Sequence, residues 1–363
     1  MGIRELAEQA VREGAIDLAQ GVIQSPPPAV LDRLLQQHQT ATSAAYTNKR
    51  GVPAWREAVS AYLANRGWSV QIDQVLGTAG VTGATVSALR SHVPPGGTVL
   101  LPEPFFIGHR LMLETLGYTI NHVPMPFDAV PNWDQLIAAM TEADALILTN
   151  PANPTGQTVP TELLTRLSQA ATEHNCLLVL DEVYRDFYWN DEHDDSVYQQ
   201  LDLSSTVVAR SFSKSLAIPG WRVGFAISAP ERIERMAGHH DALYIGASTL
   251  GQYVLAEAWQ QQANELIAYL RDLRGLLQEN LEALTPVFTA LGMEPLPVPA
   301  SYYLLLKHNR ASEQEAFDEL LAKKIVITPA SLLTSTPDQE SGFIRIHFGI
   351  TAEQREQVLE QLM

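Results

Sequence analysis

The chain has 363 residues, 46% of them hydrophobic and 18% charged, enough to bury more than one core. A net charge of -17 argues against general nucleic-acid binding, which needs clustered Lys and Arg against phosphates. The single cysteine, Cys176, excludes an intrachain disulfide framework and suits a reducing compartment; within Cys176-Leu-Leu-Val-Leu180 it reads as core filler rather than nucleophile.

The first residues are polar and amphipathic, without the apolar stretch of a signal peptide. No apolar run is long enough for a bilayer, so a soluble cytoplasmic protein without a membrane partner is expected. Residues 1–20 read as a short helix followed by Ile16-Asp-Leu-Ala19. Gly21-Val-Ile23-Gln-Ser-Pro-Pro-Pro28 then makes a fixed extended crossing, because three prolines neither continue a helix nor pair centrally. Helical spacing covers 29–39 and 53–65, with Tyr46 on the loop between them.

From about residue 74 the pattern repeats strand, turn and helix. Apolar runs fall at 75–77, 98–101, 145–148, 177–180, 207–209 and 223–227, with helices such as 107–117 and 160–175 between them. Continuous apolar strands with crossover helices predict an α/β fold with a mostly parallel sheet covered on both faces. Functional sites in such sheets gather at the carboxyl ends of strands. A helical stretch covers roughly 251–284, followed by strands at 302–306, 325–328 and 343–348, helix 312–323 and a closing helix from Thr351. That is an α+β module separate from the central sheet.

Four signals lie at predicted strand ends. Asn150-Pro-Ala-Asn153-Pro-Thr-Gly156 presents two amides from a rigid path. Asp181, in Asp181-Glu182-Val-Tyr184, closes a buried strand and needs a cationic or donating partner, unless it caps the next helix. Gly80-Val81-Thr82-Gly83 opens a helix and offers an anion free N–H groups and a hydroxyl. In Ser211-Phe-Ser213-Lys214-Ser-Leu-Ala-Ile-Pro-Gly-Trp-Arg222-Val-Gly224, burial disfavours the ammonium, and a Schiff base relieves the cost; Arg222 can clamp a phosphate. Taken alone, the lysine could equally lie on a serine-rich surface loop.

An imine-forming amine, a carboxylate for a ring nitrogen, donors for a phenolate and a phosphate cup are what pyridoxal phosphate requires. The series NPxNPTG, DEVY and SxSKxxxxPGxRxG resembles, over essentially the whole chain, the class I/II aminotransferase family of fold-type I PLP-dependent transferases. The resemblance implies a seven-stranded-type sheet in a large PLP-binding domain (30–250) and a smaller α+β domain (1–29 with 251–363). It implies that Lys214 carries the cofactor and shuttles protons, and that Asp181 keeps the pyridine nitrogen protonated. Asn153 and Tyr184 would bond the phenolic oxygen, and Phe106 would stack on the ring. Val81, Thr82, Ser211, Ser213 and Arg222 would hold the phosphate. Tyr46 would reach the neighbouring site of a homodimer.

Arg345, in the alternating strand Phe343-Ile-Arg-Ile-His-Phe348, needs a carboxylate: that of the substrate, or an internal Asp or Glu. Ile23 is a further candidate for the substrate pocket, and His347 reads as a satisfied structural histidine. No metal is expected. Relatives acting on acidic amino acids carry an arginine at the place of Asp241, in Asp241-Ala-Leu-Tyr244. The departure points to a basic or guanidino side chain, or leaves Asp241 as a solvated helix residue. Transamination between an amino acid and a 2-oxo acid is expected. The alternative is a PLP lyase or cyclase like the capreomycidine- or enduracididine-forming enzymes. The related PLP-sensing transcription regulators carry a DNA-binding module ahead of this domain, for which Tyr46 falls too early.

Overall fold

The computed structural model describes residues 2–39, 41–189 and 194–363. Its seven-stranded sheet runs Val75–Thr78, Gly224–Ile227, Thr206–Arg210, Leu177–Asp181, Ala145–Thr149, Thr98–Glu103, Thr119–Pro124. Gly224–Ile227 is antiparallel to both neighbours; the other pairs are parallel. Alternation sends Leu178 and Leu180 into one core with Trp55, Leu163 and Leu167, and Leu177 and Val179 into another with Ala84, Leu113 and Met236. Cover on both faces explains why these strands read as unbroken apolar runs.

Sequence reading missed the edge strand Thr119–Pro124. Val123 is its one buried residue, and a strand exposed this far carries little hydrophobic signal. The stretch at 251–284 is two helices, Thr249–Gln261 and Ala263–Ala290, broken where Gln262 leaves helical geometry. The expected strand at 325–328 is also two: Ile325–Val326 pairs in parallel with Ile16–Asp17, and Thr328–Pro329 with Phe343–His347. Phe343–His347, Tyr303–His308 and Met293–Pro295 complete a four-stranded antiparallel sheet.

Residues 16–24 lie on this second sheet as a strap. Leu18 N–H donates to Val326 O at 2.9 Å, His347 N–H to Leu18 O at 2.8 Å, and Gln24 N–H to Gly349 O at 2.8 Å. We propose that the chain divides into two units, with the later passage inside helix Ala263–Ala290 and so beyond the boundary at 251 expected from sequence. Val254, Leu255 and Leu266 pack with the large sheet, whereas Leu273, Leu277 and Leu284 join Leu6, Leu18 and Ile23 under the small one. Among the described residues no helix is long and apolar enough to cross a membrane.

Candidate active site

Three adjacent strands end side by side and deliver Asn150, Asp181 and Ser211 to one edge of the sheet. The turn after Arg210 carries Lys214, whose Nζ donates to the Gly21 carbonyl at 2.7 Å. Burial pushes the amine's pKa down, and the charges of Arg345 and Arg222 add to this, while Tyr303 and Asp181 oppose it. Such an amine is closer to its nucleophilic, proton-accepting form than a surface lysine.

Asp181 meets the expected demand for a partner through His109, whose Nε2 lies 3.0 Å from Oδ2; Oδ1 accepts the Val183 N–H at 3.2 Å. His109 escaped the sequence reading because a lone histidine one turn into a helix gives no pattern. Phe106 precedes helix Ile107–Leu116, stands edge-on to His109 at 5.4 Å and remains 36% exposed.

A chain of polar groups links the other side. Asn153 Nδ2 donates to Tyr184 OH at 3.3 Å, and Tyr184 OH is 3.0 Å from Tyr303 OH. Burial, reinforced by Tyr303, raises the Tyr184 pKa well above the phenol range, so it stays a donor. Arg345 is 1% exposed. Its Nη1 donates to Asn153 Oδ1 at 2.9 Å, Nη2 to Thr328 Oγ1 at 3.2 Å and to the Ala19 carbonyl, and its Cζ lies 4.5 Å from the Tyr303 ring centre. Nε has no partner, and among the described residues no carboxylate pairs with this guanidinium. The internal salt bridge considered from sequence is therefore not present there. Tyr302, also missed, donates to the Gly21 carbonyl at 3.0 Å, the same atom that Lys214 uses. Neither tyrosine stood out, since both also read as core aromatics of a strand.

The third group is an anion cup. Helix Gly80–Arg90 starts with Gly80 at φ +69, and a Cβ there would fall 2.5 Å from Arg222 Nη2. The positive φ favours glycine here, and a side chain would displace the Arg222 guanidinium. Arg222 donates to Pro219 O at 3.0 Å and Ala79 O at 3.4 Å, and among the described residues it has no carboxylate partner. Val81 is buried behind the helix start and the Thr82 side chain is exposed at it. Ser211 Oγ accepts the Ser213 N–H at 3.3 Å. His240 accepts the Ala79 N–H at 2.9 Å, a role for neutral imidazole; burial pulls its pKa to about 4.

Ile23 packs in the small-sheet core with Tyr184 and Tyr303, two residues past the Gly21 carbonyl that receives Lys214. Tyr46 is 85% exposed, and Asp241 is exposed on helix Pro230–Tyr244. His347 is structural as expected, its Nε2 bonded to the Asp17 carbonyl at 3.0 Å.

The residues present fit pyridoxal phosphate on three counts. The cationic cup lacks a carboxylate, the amine is destabilised as an ammonium, and the buried carboxylate is supported by an imidazole. A model of the family described as aminotransferase class I and II matches residues 13–362. The chain is 26% identical to the aspartate/prephenate aminotransferase of Thermus thermophilus over 322 residues, covering 87% of this chain and 82% of the relative. It is 28% identical to the histidinol-phosphate aminotransferase of Symbiobacterium thermophilum, over 70% of this chain and 69% of that protein. A double mutant of Thermus thermophilus aspartate aminotransferase has a TM-score of 0.89 at 22% identity, covering 99% of this chain and 95% of that one. For N-succinyldiaminopimelate aminotransferase from Mycobacterium tuberculosis the TM-score is 0.88 at 23% identity, with 99% and 96% covered. At these identities the structural likeness concerns the fold. With its lysine, carboxylate and anion cup on one sheet edge, the chain belongs to the class I and II aminotransferases, enzymes dependent on pyridoxal 5'-phosphate.

Proposed function

We propose that this aminotransferase moves the α-amino group of an L-amino acid to a 2-oxo acid, using Lys214 as its proton carrier and Arg345 as its carboxylate grip. The observation that carries the reading is Arg345, a buried guanidinium without a protein carboxylate, bonded to the same Asn153 that reaches Tyr184. A substrate carboxylate supplies the missing countercharge in a bidentate geometry. When bound, pyridoxal phosphate supplies an aldehyde that condenses with amines and a cationic ring that draws electrons from the substrate's Cα. Asp181, supported by His109, would hold a cationic ring nitrogen; Tyr184 and Asn153 would donate to an oxygen anion; Arg222 and the N–H groups at Val81 and Thr82 would hold the phosphate, and Phe106 would lie against the ring. Lys214 Nζ would take the proton from the substrate's Cα and give it back at the carbon beyond the amino nitrogen.

The side chain is the finer question. The absence of an arginine at Asp241 favours a basic or guanidino substrate, and we place Asp241 in the cleft of a second copy. Support comes from one surface: a Cβ at Gly246 would lie 3.2 Å from Thr47, so the segment after Asp241 adjoins the Tyr46 loop. Tyr46, Leu243, Tyr244 and Ile245 are all exposed there, an apolar patch suited to self-association as a homodimer.

The test is a single half-reaction. Holoenzyme mixed with candidate amino acids should give a 2-oxo acid by mass and pyridoxamine phosphate by absorbance. Loss of water or ammonia from the substrate with the cofactor unchanged overturns transamination. Acidic substrates winning the survey, unaffected by Asp241→Ala, overturns the side-chain reading. A monomer in sedimentation overturns the shared site.

A further inference from the structure

Helix Gly80–Arg90 begins on a poor cap. Ala79 stands before it and contributes no side-chain hydrogen bond, where serine, threonine or aspartate would ordinarily accept from the first N–H groups. Those donors are left to a ligand. The turn that aims them must then be fixed from outside the helix.

The buried Thr78 hydroxyl donates to the Gly80 carbonyl at 2.9 Å, which closes the turn locally. Arg222 Nη2 donates to the Ala79 carbonyl at 3.4 Å. His240, fully enclosed on helix Pro230–Tyr244, accepts the Ala79 N–H at 2.9 Å through Nε2. Ala79 is thus gripped at its N–H and at its C=O by side chains from two separate segments. Gly83 gives the imidazole room: a Cβ there would lie 3.4 Å from Nε2 and 3.1 Å from the Ala79 Cβ.

The ring has little other occupation. Because Nε2 accepts, the proton sits on Nδ1, which has no partner among the described residues. Burial, opposed by Asp241, keeps the imidazole neutral and so able to accept. Enclosing a polar ring for one backbone N–H is costly unless the position of that N–H matters.

Given the phosphate cup proposed above, we propose that His240 is a positioning residue for the cofactor's phosphate. By fixing Ala79 it holds the first turn of the helix where the Val81 and Thr82 N–H groups and Arg222 converge on one anion. Without the acceptor, the Ala79 N–H turns to find another partner and the cup loses its alignment.

The test compares pyridoxal phosphate with pyridoxal, which offers the same aldehyde but no phosphate. Each is titrated by absorbance into the full chain freed of cofactor. His240→Leu should weaken pyridoxal phosphate by about tenfold or more and pyridoxal by about twofold at most. His240→Met replaces it should the leucine variant not fold, as circular dichroism would show. In His240→Gln the amide Oε1 can take the place of Nε2, so affinity for pyridoxal phosphate should return to within about threefold of the parent. The ³¹P resonance of the bound phosphate should move in the leucine variant and return in the glutamine one. Unchanged affinity for pyridoxal phosphate, equal weakening of both aldehydes, or no rescue by glutamine overturns the positioning role. Arg222→Met separates that failure from failure of the cup itself. If it selectively weakens pyridoxal phosphate while His240→Leu does not, only the role of His240 falls; if neither variant distinguishes the two aldehydes, the cup falls with it.

Discussion

Arg210 and Arg345 are almost equally enclosed, at 3% and 1% exposure, yet their surroundings differ in kind. Arg210 donates through Nε to Glu182 at 2.8 Å and through Nη1 to Asp195 at 2.7 Å. Asp195 also takes Arg66 and Arg185, each at 2.8 Å through Nε. Burial alone would raise the Asp195 carboxyl, but Arg210, Arg66 and Arg185 overcome it and hold it well below the carboxylate range. Glu182 follows Asp181 and Arg210 precedes Ser211, so this network fixes the ends of the two strands that carry the chemistry. Arg345 has amide, hydroxyl and carbonyl partners instead. A charge neutralised from within supports structure, and one left without a countercharge is available to a ligand.

That contrast can be broken experimentally. The largest effect is expected at Lys214, where Lys214→Ala should lower turnover by about 10³-fold or more and abolish the yellow imine absorbance, while denaturation is unchanged. Yellow protein after that change would remove the basis for the assigned chemistry. Arg210→Met leaves Glu182 without its guanidinium and Asp195 with two of its three, and should lose about 3–5 kcal/mol in urea unfolding. Arg345→Met should behave oppositely, with kcat/KM for amino acids down by about 10²-fold and unfolding within about 1 kcal/mol of the parent. Equal instability in the two arginine variants erases the distinction.

The smallest effect concerns acid. Burial, with the nearby charge of Arg345, lowers His347 to about 3, against the hydrogen bond to Asp17 that raises it. A folded-state pKa below the unfolded one means that stability is complete above about pH 6.5 and falls as pH drops toward 3. His347→Gln should therefore flatten the fall in Tm between about pH 6 and 4. An unchanged slope assigns the acid sensitivity to other groups, such as His240.

What could be read from the sequence follows from how locally each feature is encoded. Six of the seven large-sheet strands announced themselves as apolar runs, most of them separated by helices. Lys214, Asp181, Asn153 and Arg222 were legible because turn residues and charges at strand ends have few structural uses. Arg345 stood out as a cation within an alternating apolar strand. His109 and Tyr303 did not, because their significance lies in partners 72 and 119 residues away, Asp181 and Tyr184 respectively. The split at Ile327 was equally hidden, since two short strands joined end to end look like one until their separate partners are known.

The strap at residues 16–24 ties the site to distant parts of the chain. Gly21, which receives the Lys214 amine, and Ala19, whose carbonyl steadies Arg345, stand 193 and 326 residues before the groups they hold. A polypeptide cut short of Phe343 keeps the lysine, the anion cup and the Ile325–Val326 partner of the strap, but it lacks Arg345. If Arg345 is the carboxylate grip proposed above, such a fragment holds the strap without a hold on substrate.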